Sequence, residues 1–273
     1  MAQPLVSIIT TTKNRKDLLL KLLDKMREQT YHPFEHIIID AGSTDGTLDI
    51  LRKLENKYPV RWISETDKNQ TEGVNKGLKL AQGELVAITH DDDYWLPNGL
   101  RMLVHEFNSN PYLDLAYGDS FSLFPDQHTE RVSYRRYDLA DMVNRGYQIP
   151  QHGCIFKRSW FDRIGFLDDS IDHVAEYDFF LRLIEQGGRY MHVPEIVCVG
   201  LQHDRKESWV CREHAWQETW RVNRAHGGQL LSLFTLLYVK NRYFYGLSQK
   251  MNKYIPGVLN GLKRIFKTPH YSL

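Results

Sequence analysis

The stretch Leu85-Val-Ala-Ile-Thr-His-Asp-Asp-Asp-Tyr-Trp-Leu-Pro97 sets the reading of this chain. Four apolar residues, Leu85 to Ile88, have the length and composition of a buried strand. They give way within two residues to Asp91, Asp92 and Asp93. Three adjacent carboxylates repel one another unless something positive offsets them. A divalent cation bridging the strand end to a substrate phosphate would do so. Few hard oxygen ligands suit Mg²⁺ or Mn²⁺ on a phosphate better than an all-protein cage. The plainer alternative is an acidic turn leading into a helix with Pro97 in its first turn. The triplet alone does not choose between them; the surrounding sequence has to.

Upstream, Leu5-Val-Ser-Ile-Ile9 is a β-branched run that predicts a buried strand, followed by the polar loop Thr10-Thr-Thr-Lys-Asn-Arg15. Leu18 to Met26 has helical spacing. His36-Ile-Ile-Ile-Asp40 predicts a second buried strand ending in a carboxylate, and Ala41 to Thr47 a tight loop. Leu48 to Leu54 reads as a helix, Val60 to Ile63 as a short strand, and Val74 to Ala81 as a helix stopped by Gly83. Strand alternating with helix predicts a parallel α/β sheet. Ligands of such sheets bind off the carboxyl ends of the strands. Three of these ends are polar: the Thr10 loop, Asp40 and the Asp91 triplet. No GxGxxG or GxxxxGK[ST] is present, so neither dinucleotide nor P-loop chemistry is signalled.

Downstream, Leu115 to Asp119 predicts a strand, and the aromatic, charged stretch Phe121 to Tyr137 a loop or hairpin over a substrate. Ala175 to Leu183 has helical spacing, with Glu176 and Asp178 near its start, where the helix dipole favours negative charge. Tyr190 to Val199 predicts a last strand, leading into Gln202 to Ser208.

Hydrophobic content of 42% and charged content of 25% are those of a globular protein. A net charge of +1 gives no reason to expect nucleic acid as a partner. The charge is unevenly spread: Thr219 to Leu273 holds nine Lys or Arg and no acid, which leaves the preceding residues at −8. Three cysteines without CxxC spacing read as reduced thiols, and no signal peptide is evident, so a cytoplasmic protein is expected. The apolar run at Leu230 to Val239 is too short to span a bilayer. With the basic residues after it, it predicts docking on an anionic membrane from the inner face. Helix packing on the main domain or in a homodimer is the competing use.

These motifs together resemble those of the family 2 inverting glycosyltransferases of GT-A fold. Ser7 to Arg15 is similar to their opening strand and nucleotide loop. Ile38-Ile-Asp40-Ala-Gly-Ser-Thr-Asp-Gly-Thr47 resembles their second-strand signature. Ser64 to Lys68, with Asn75-Lys76-Gly77 and Ala81-Gln-Gly83-Glu84, resembles a third block. Asp91 to Pro97 resembles the metal motif. Gln151-His152, Phe156-Lys-Arg158 and Glu176-Tyr-Asp178 with Leu181-Arg-Leu183 resemble the acceptor half. The resemblance runs from Pro4 to Ser208. It implies a Rossmann-like, mainly parallel central sheet flanked by helices over residues 1–208, with a nucleotide-binding half to about residue 110. Residues 209–273 are expected to form a helical basic extension.

The resemblance also implies roles. Thr10, Thr12, Asn14, Arg15, Asp40, Asp67, Lys76, Asp91 and Asp92 would bind the nucleotide, and Asp93 with His203 a Mn²⁺ or Mg²⁺ ion. His152, Arg205 and Lys206 would touch acceptor or diphosphate. Glu176 or Asp178 would be the base; relatives carry an Asp pair or Asp-Tyr-Asp there, and the alignment favours Glu176. The implied reaction is metal-dependent, inverting transfer from a nucleotide-diphosphate sugar, expected to be a UDP-sugar. The acceptor would be a hydroxyl of a glycan or lipid-linked molecule in surface polysaccharide synthesis. Two other classes stay open. A sugar-phosphate nucleotidyltransferase wants a Gly-rich basic loop after the first strand, which Thr10-Thr11-Thr12 lacks. A non-catalytic sugar-nucleotide or glycan-binding module would have no use for both Asp93 and Glu176.

Overall fold

The computed structural model describes residues 3–54, 59–146, 149–202, 209–240 and 243. It divides into two compact units, residues 1–136 with 148–206, and residues 137–147 with 207–273. Among the described residues, the strands of the first unit form a single nine-stranded sheet.

The first half of that sheet is parallel, as the alternation of strands and helices predicts. β1 (Val6–Thr12) lies between β2 (Phe34–Asp40) and β4 (Leu85–Ile88), and β3 (Val60–Ser64) pairs with β2. Ile8, Ile9, Ile37, Ile38, Ile39 and Ala87 are fully buried, because helices cover both faces. On one face α1 (Lys16–Arg27) buries Leu19, Leu22, Leu23 and Met26, the i, i+3, i+4, i+7 stripe of an amphipathic helix. α4 (Gly99–Ser109) adds Leu100, Leu103, Val104 and Phe107 to the same core. α2 (Thr47–Leu54) follows β2, with Leu51 and Leu54 buried. On the other face α3 (Gln70–Leu80) begins at Asn69, whose side chain accepts from the Glu72 N–H. Its Gly77 lies directly on Ile9 and Ile39.

The second half is mixed. β8 (Cys154–Lys157) runs antiparallel to β4 and to β6 (Leu115–Leu123). β9 (Tyr190–Leu201) pairs parallel with β6, and β7 (Thr129–Val132) folds back on β6 as a hairpin. The acidic triplet is not all loop: β5 (Asp93–Trp95) continues the sheet antiparallel to β9, with Asp93 opposite Gly200. α6 (Trp160–Ile164) and α7 (Ala175–Glu185) complete the unit.

In the second unit α5 (Leu139–Arg145) packs with α8 (Trp209–Ala225), and residues 233–240 form a further helix, α9. Phe234 stacks on Trp216 at 4.9 Å between ring centroids, and Tyr238 on Trp220 at 6.2 Å. No helix among the described residues is long and apolar enough to cross a membrane.

Candidate active site

The carboxyl ends of β1, β2, β3 and β4 meet at one edge of the sheet, and most of the expected site residues gather there. Thr12 pairs in register with Asp40, and Asp40 with Ser64. Asp40 is fully buried. Its Oδ2 accepts from the Gly42 N–H (3.1 Å), the Ser43 N–H (3.0 Å) and the Ser64 hydroxyl (2.6 Å). Its Oδ1 is buried without a hydrogen-bond partner among the described residues. A buried charged oxygen left unsatisfied is costly, so this atom is a place where an arriving donor would be strongly favoured. The loops around it are tied together: the Asn14 N–H donates to Ser43, and Asn14 Oδ1 accepts from the Thr44 N–H at 2.7 Å.

The acidic triplet has a protein counter-charge. Arg15 Nη1 lies 2.8 Å from Asp91 Oδ1 and 3.4 Å from Asp92 Oδ2. Thr12 donates its hydroxyl to the other Asp91 oxygen at 2.8 Å. Burial still pushes the Asp91 carboxyl above its ordinary range, against the pull of Arg15 and Thr12. Arg15 thus supplies positive charge to two of the three carboxylates.

Asp93 stands apart from that pair. A Cβ built on Gly200 would sit 3.2 Å from Asp93 Oδ1 and 3.7 Å from His152 Nε2. A side chain there would crowd Asp93, and Asp93 and His152 both border the space beside Gly200. Among the described residues no three His, Cys, Asp or Glu side chains form a metal-binding cluster. One carboxylate and one imidazole would suit a divalent cation whose other ligands are phosphate oxygens and water.

The Thr10 hydroxyl is turned into the sheet. It is fully buried, with its hydroxyl donating to the Thr89 carbonyl at 2.7 Å and lying 2.9 Å from His36 Nε2. Burial drives the His36 pKa down to about 3, so the ring is neutral and its N–H supplies the bond to Thr10. Thr10 therefore braces the strands from behind. Asp67 and Lys76 bind each other: Lys76 Nζ contacts Asp67 Oδ1 and, at 2.8 Å, Glu65. Asp67 Oδ2 lies against Gly73, next to Thr11.

Glu176, in the first turn of α7, keeps only 13% of its side chain exposed, and its Oε1 lies 3.9 Å from His90 Nε2. His90 is held in turn by Gln70, whose Nε2 is 2.8 Å from Nδ1. Burial raises the Glu176 pKa, and His90 pulls against that rise. Asp178 points elsewhere, accepting from Arg182 Nε at 2.8 Å, while Arg182 Nη1 and Nη2 donate to the carbonyls of Ile164 and Phe166. The i, i+4 spacing of Asp178 and Arg182 makes that pair readable in sequence. His90 and Gln70 were missed, although His90 immediately precedes the triplet. His203, Arg205 and Lys206 lie outside the described residues.

The sequence matches the family model of glycosyl transferase family 2 over residues 7–165, more than half of the chain. The chain belongs to glycosyl transferase family 2. It is 28% identical over 195 residues to a chondroitin synthase of Pasteurella multocida, a match covering 71% of this chain but only 20% of that one. It is 29% identical over 202 residues to a PGL/p-HBAD biosynthesis glycosyltransferase of Mycobacterium bovis, covering 71% and 76% of the two chains. In structure it resembles S. aureus TarS in complex with UDP-GlcNAc, at a TM-score of 0.68 and 16% identity over 88% of this chain and 73% of that one. It also resembles a mannosyltransferase of Pyrobaculum calidifontis in complex with GDP-Man and Mn²⁺, at 0.61 and 18% over 93% and 82%. These likenesses show the fold, the GT-A arrangement expected of family 2.

Proposed function

We propose that this family 2 protein transfers a sugar from a nucleotide-diphosphate donor, a UDP-sugar, to a hydroxyl of a glycan or lipid-linked acceptor, with inversion. Synthesis of a surface polysaccharide at the inner face of a membrane is the setting we assign to it. The observation that carries the donor reading is the Asp40 Oδ1 atom, a fully buried carboxylate oxygen without a partner among the described residues. A nucleobase N–H is a donor that would satisfy it. The solved neighbours with UDP-GlcNAc and with GDP-Man support a nucleotide sugar in a fold of this kind.

Thr12, Asn14, Arg15, Asp91 and Asp92 would frame the nucleoside, with Asp67 held against the same pocket by Lys76. Asp93 and His152 would hold a Mn²⁺ or Mg²⁺ ion, which when bound supplies neutralisation of the charge on the departing diphosphate. Glu176 would take the proton of the acceptor hydroxyl. A carboxylate whose pKa is raised is a stronger base than an ordinary one, and its position beside His90 leaves the nucleoside side of the site to Asp40. One displacement with one base inverts the anomeric centre and needs no covalent intermediate. Asp178 would hold the α7 start in place through Arg182.

Calorimetric titration of UDP in the presence of Mn²⁺ tests the donor site. Asp40→Asn should weaken binding about tenfold or more, the worth of a hydrogen bond to a charged group. Unchanged affinity would remove Asp40 from the site. A panel of nucleoside diphosphates in the same assay would choose the base.

A further inference from the structure

α9 in the second unit has two unlike faces. At about 100° per residue, Phe234 and Tyr238 point to one side, where they stack on Trp216 and Trp220 of α8. Leu236 falls on the opposite side, roughly 180° away, and Leu233 and Lys240 lie about 120° and 140° from the packed side. These leucines are exposed, Leu236 to 58%. Leu231, in the turn before α9, is 82% exposed. Exposed leucines at i, i+3 on a helix whose other face is already packed mark a docking surface.

Charge says which partner. From Thr219 to the end of the chain the sequence holds nine Lys or Arg and no acid, and of these Arg221, Arg224 and Lys240 are among the described residues, Lys240 on α9 itself. A second copy of this segment would carry the same excess of positive charge, which opposes self-association. An anionic bilayer complements it: leucines enter the headgroup boundary while lysine stems lie along the apolar surface with their charges in the headgroups.

We propose that the exposed face of α9, with Leu231, Leu233 and Leu236 as its apolar anchors, docks this protein on an anionic lipid surface. The contact lies parallel to the bilayer and does not span it. It would bring the chain to the surface where a lipid-linked acceptor is met, but the docking does not depend on the transfer reaction.

The test is sedimentation of the full chain with vesicles of phosphatidylglycerol and phosphatidylcholine, beside vesicles of phosphatidylcholine alone, without donor or acceptor. The full chain should sediment with the anionic vesicles at low salt and be released as salt rises. Leu231→Ser with Leu236→Ser should cut partitioning about tenfold or more, given the free energy that buried apolar area contributes at an interface. Both positions are exposed, so thermal unfolding should be unchanged in the variant. Equal partitioning of variant and parent would overturn the proposal, as would failure of the parent to sediment. A dimer in light scattering that the double variant dissolves would also overturn it and assign the face to a second copy. Because no turnover is read, none of these outcomes bears on the donor site.

Discussion

Removing the charge from Glu176 is expected to act on turnover and on stability in opposite directions. Glu176→Gln keeps the shape and loses the base, so transfer should fall about 10²–10⁴-fold. Burial, opposed by His90, raises the folded pKa of Glu176 above its unfolded value. Its contribution to stability is then complete below the unfolded pKa and is lost as pH rises through the folded one. Once pH has risen far enough to ionise it, the desolvated carboxylate works against the fold, and there glutamine should unfold at a higher temperature than glutamate. The difference should vanish in acid, where glutamate is protonated. Thermal unfolding of both proteins from pH 4 to pH 8 checks the sign, and a less stable glutamine variant at pH 8 would show that desolvation does not dominate there. Asp178→Asn should behave the other way, losing about 1–3 kcal/mol by unpairing Arg182 while leaving more of the transfer. The Asp178–Arg182 pair could be read from spacing alone. The His90–Glu176 contact could not, because it joins the end of β4 to the start of α7 across 86 positions and leaves no periodic trace.

Elements whose burial is uniform were the ones that sequence displayed. β1, β2 and β4 are runs of Ile, Val, Leu and Ala because helices cover both of their faces, and their order with α1, α2 and α3 followed directly. β5 was hidden. Asp93-Tyr-Trp95 carries no apolar alternation, and its place in the sheet comes from pairing with β9, more than a hundred residues later. The surroundings of Thr10 were hidden for a related reason. A threonine at a strand end looks like a pocket residue, and only the arrival of His36 and the Thr89 carbonyl shows its hydroxyl to be used up. Gly77 makes a test of how tightly the legible part is built. It lies inside α3, where alanine would ordinarily gain up to about 1 kcal/mol in helix propensity. A Cβ there would overlap Ile9 Cγ2 and crowd Ile39 Cγ1 at 3.3 Å. Overpacking of this kind costs about 1–3 kcal/mol, so Gly77→Ala should be a net loss in urea unfolding. A stabilised variant would mean that α3 can lift from the sheet without penalty.

The interleaving of the two units is the feature of the whole chain that sequence patterning conceals. Reading from the motifs places residues 111–208 in one acceptor half, with an extension after it. Yet residues 137–147 group with residues 207–273, and α5 belongs to the second unit. At seven residues α5 is too short to hold a helix alone in water. It depends on packing: Met142 and Val143 are buried, Gly146 closes the helix at φ 95°, and a Cβ on that glycine would collide with the Phe234 ring of α9. A Cβ on Gly228, just after α8, would likewise stand 3.0 Å from the Val143 carbonyl. Each of the two apolar side chains contributes about 1.5–3 kcal/mol when buried, far more than one short helix gains from its own hydrogen bonds. A chain ended after Lys206 removes α8 and α9 and with them this packing. Hydrogen exchange at residues 139–145 should then be as fast as in an unstructured peptide, although those residues lie more than sixty positions before the cut. Protection in that segment equal to that of the full chain would mean that α5 is held by something other than the helices it packs with here.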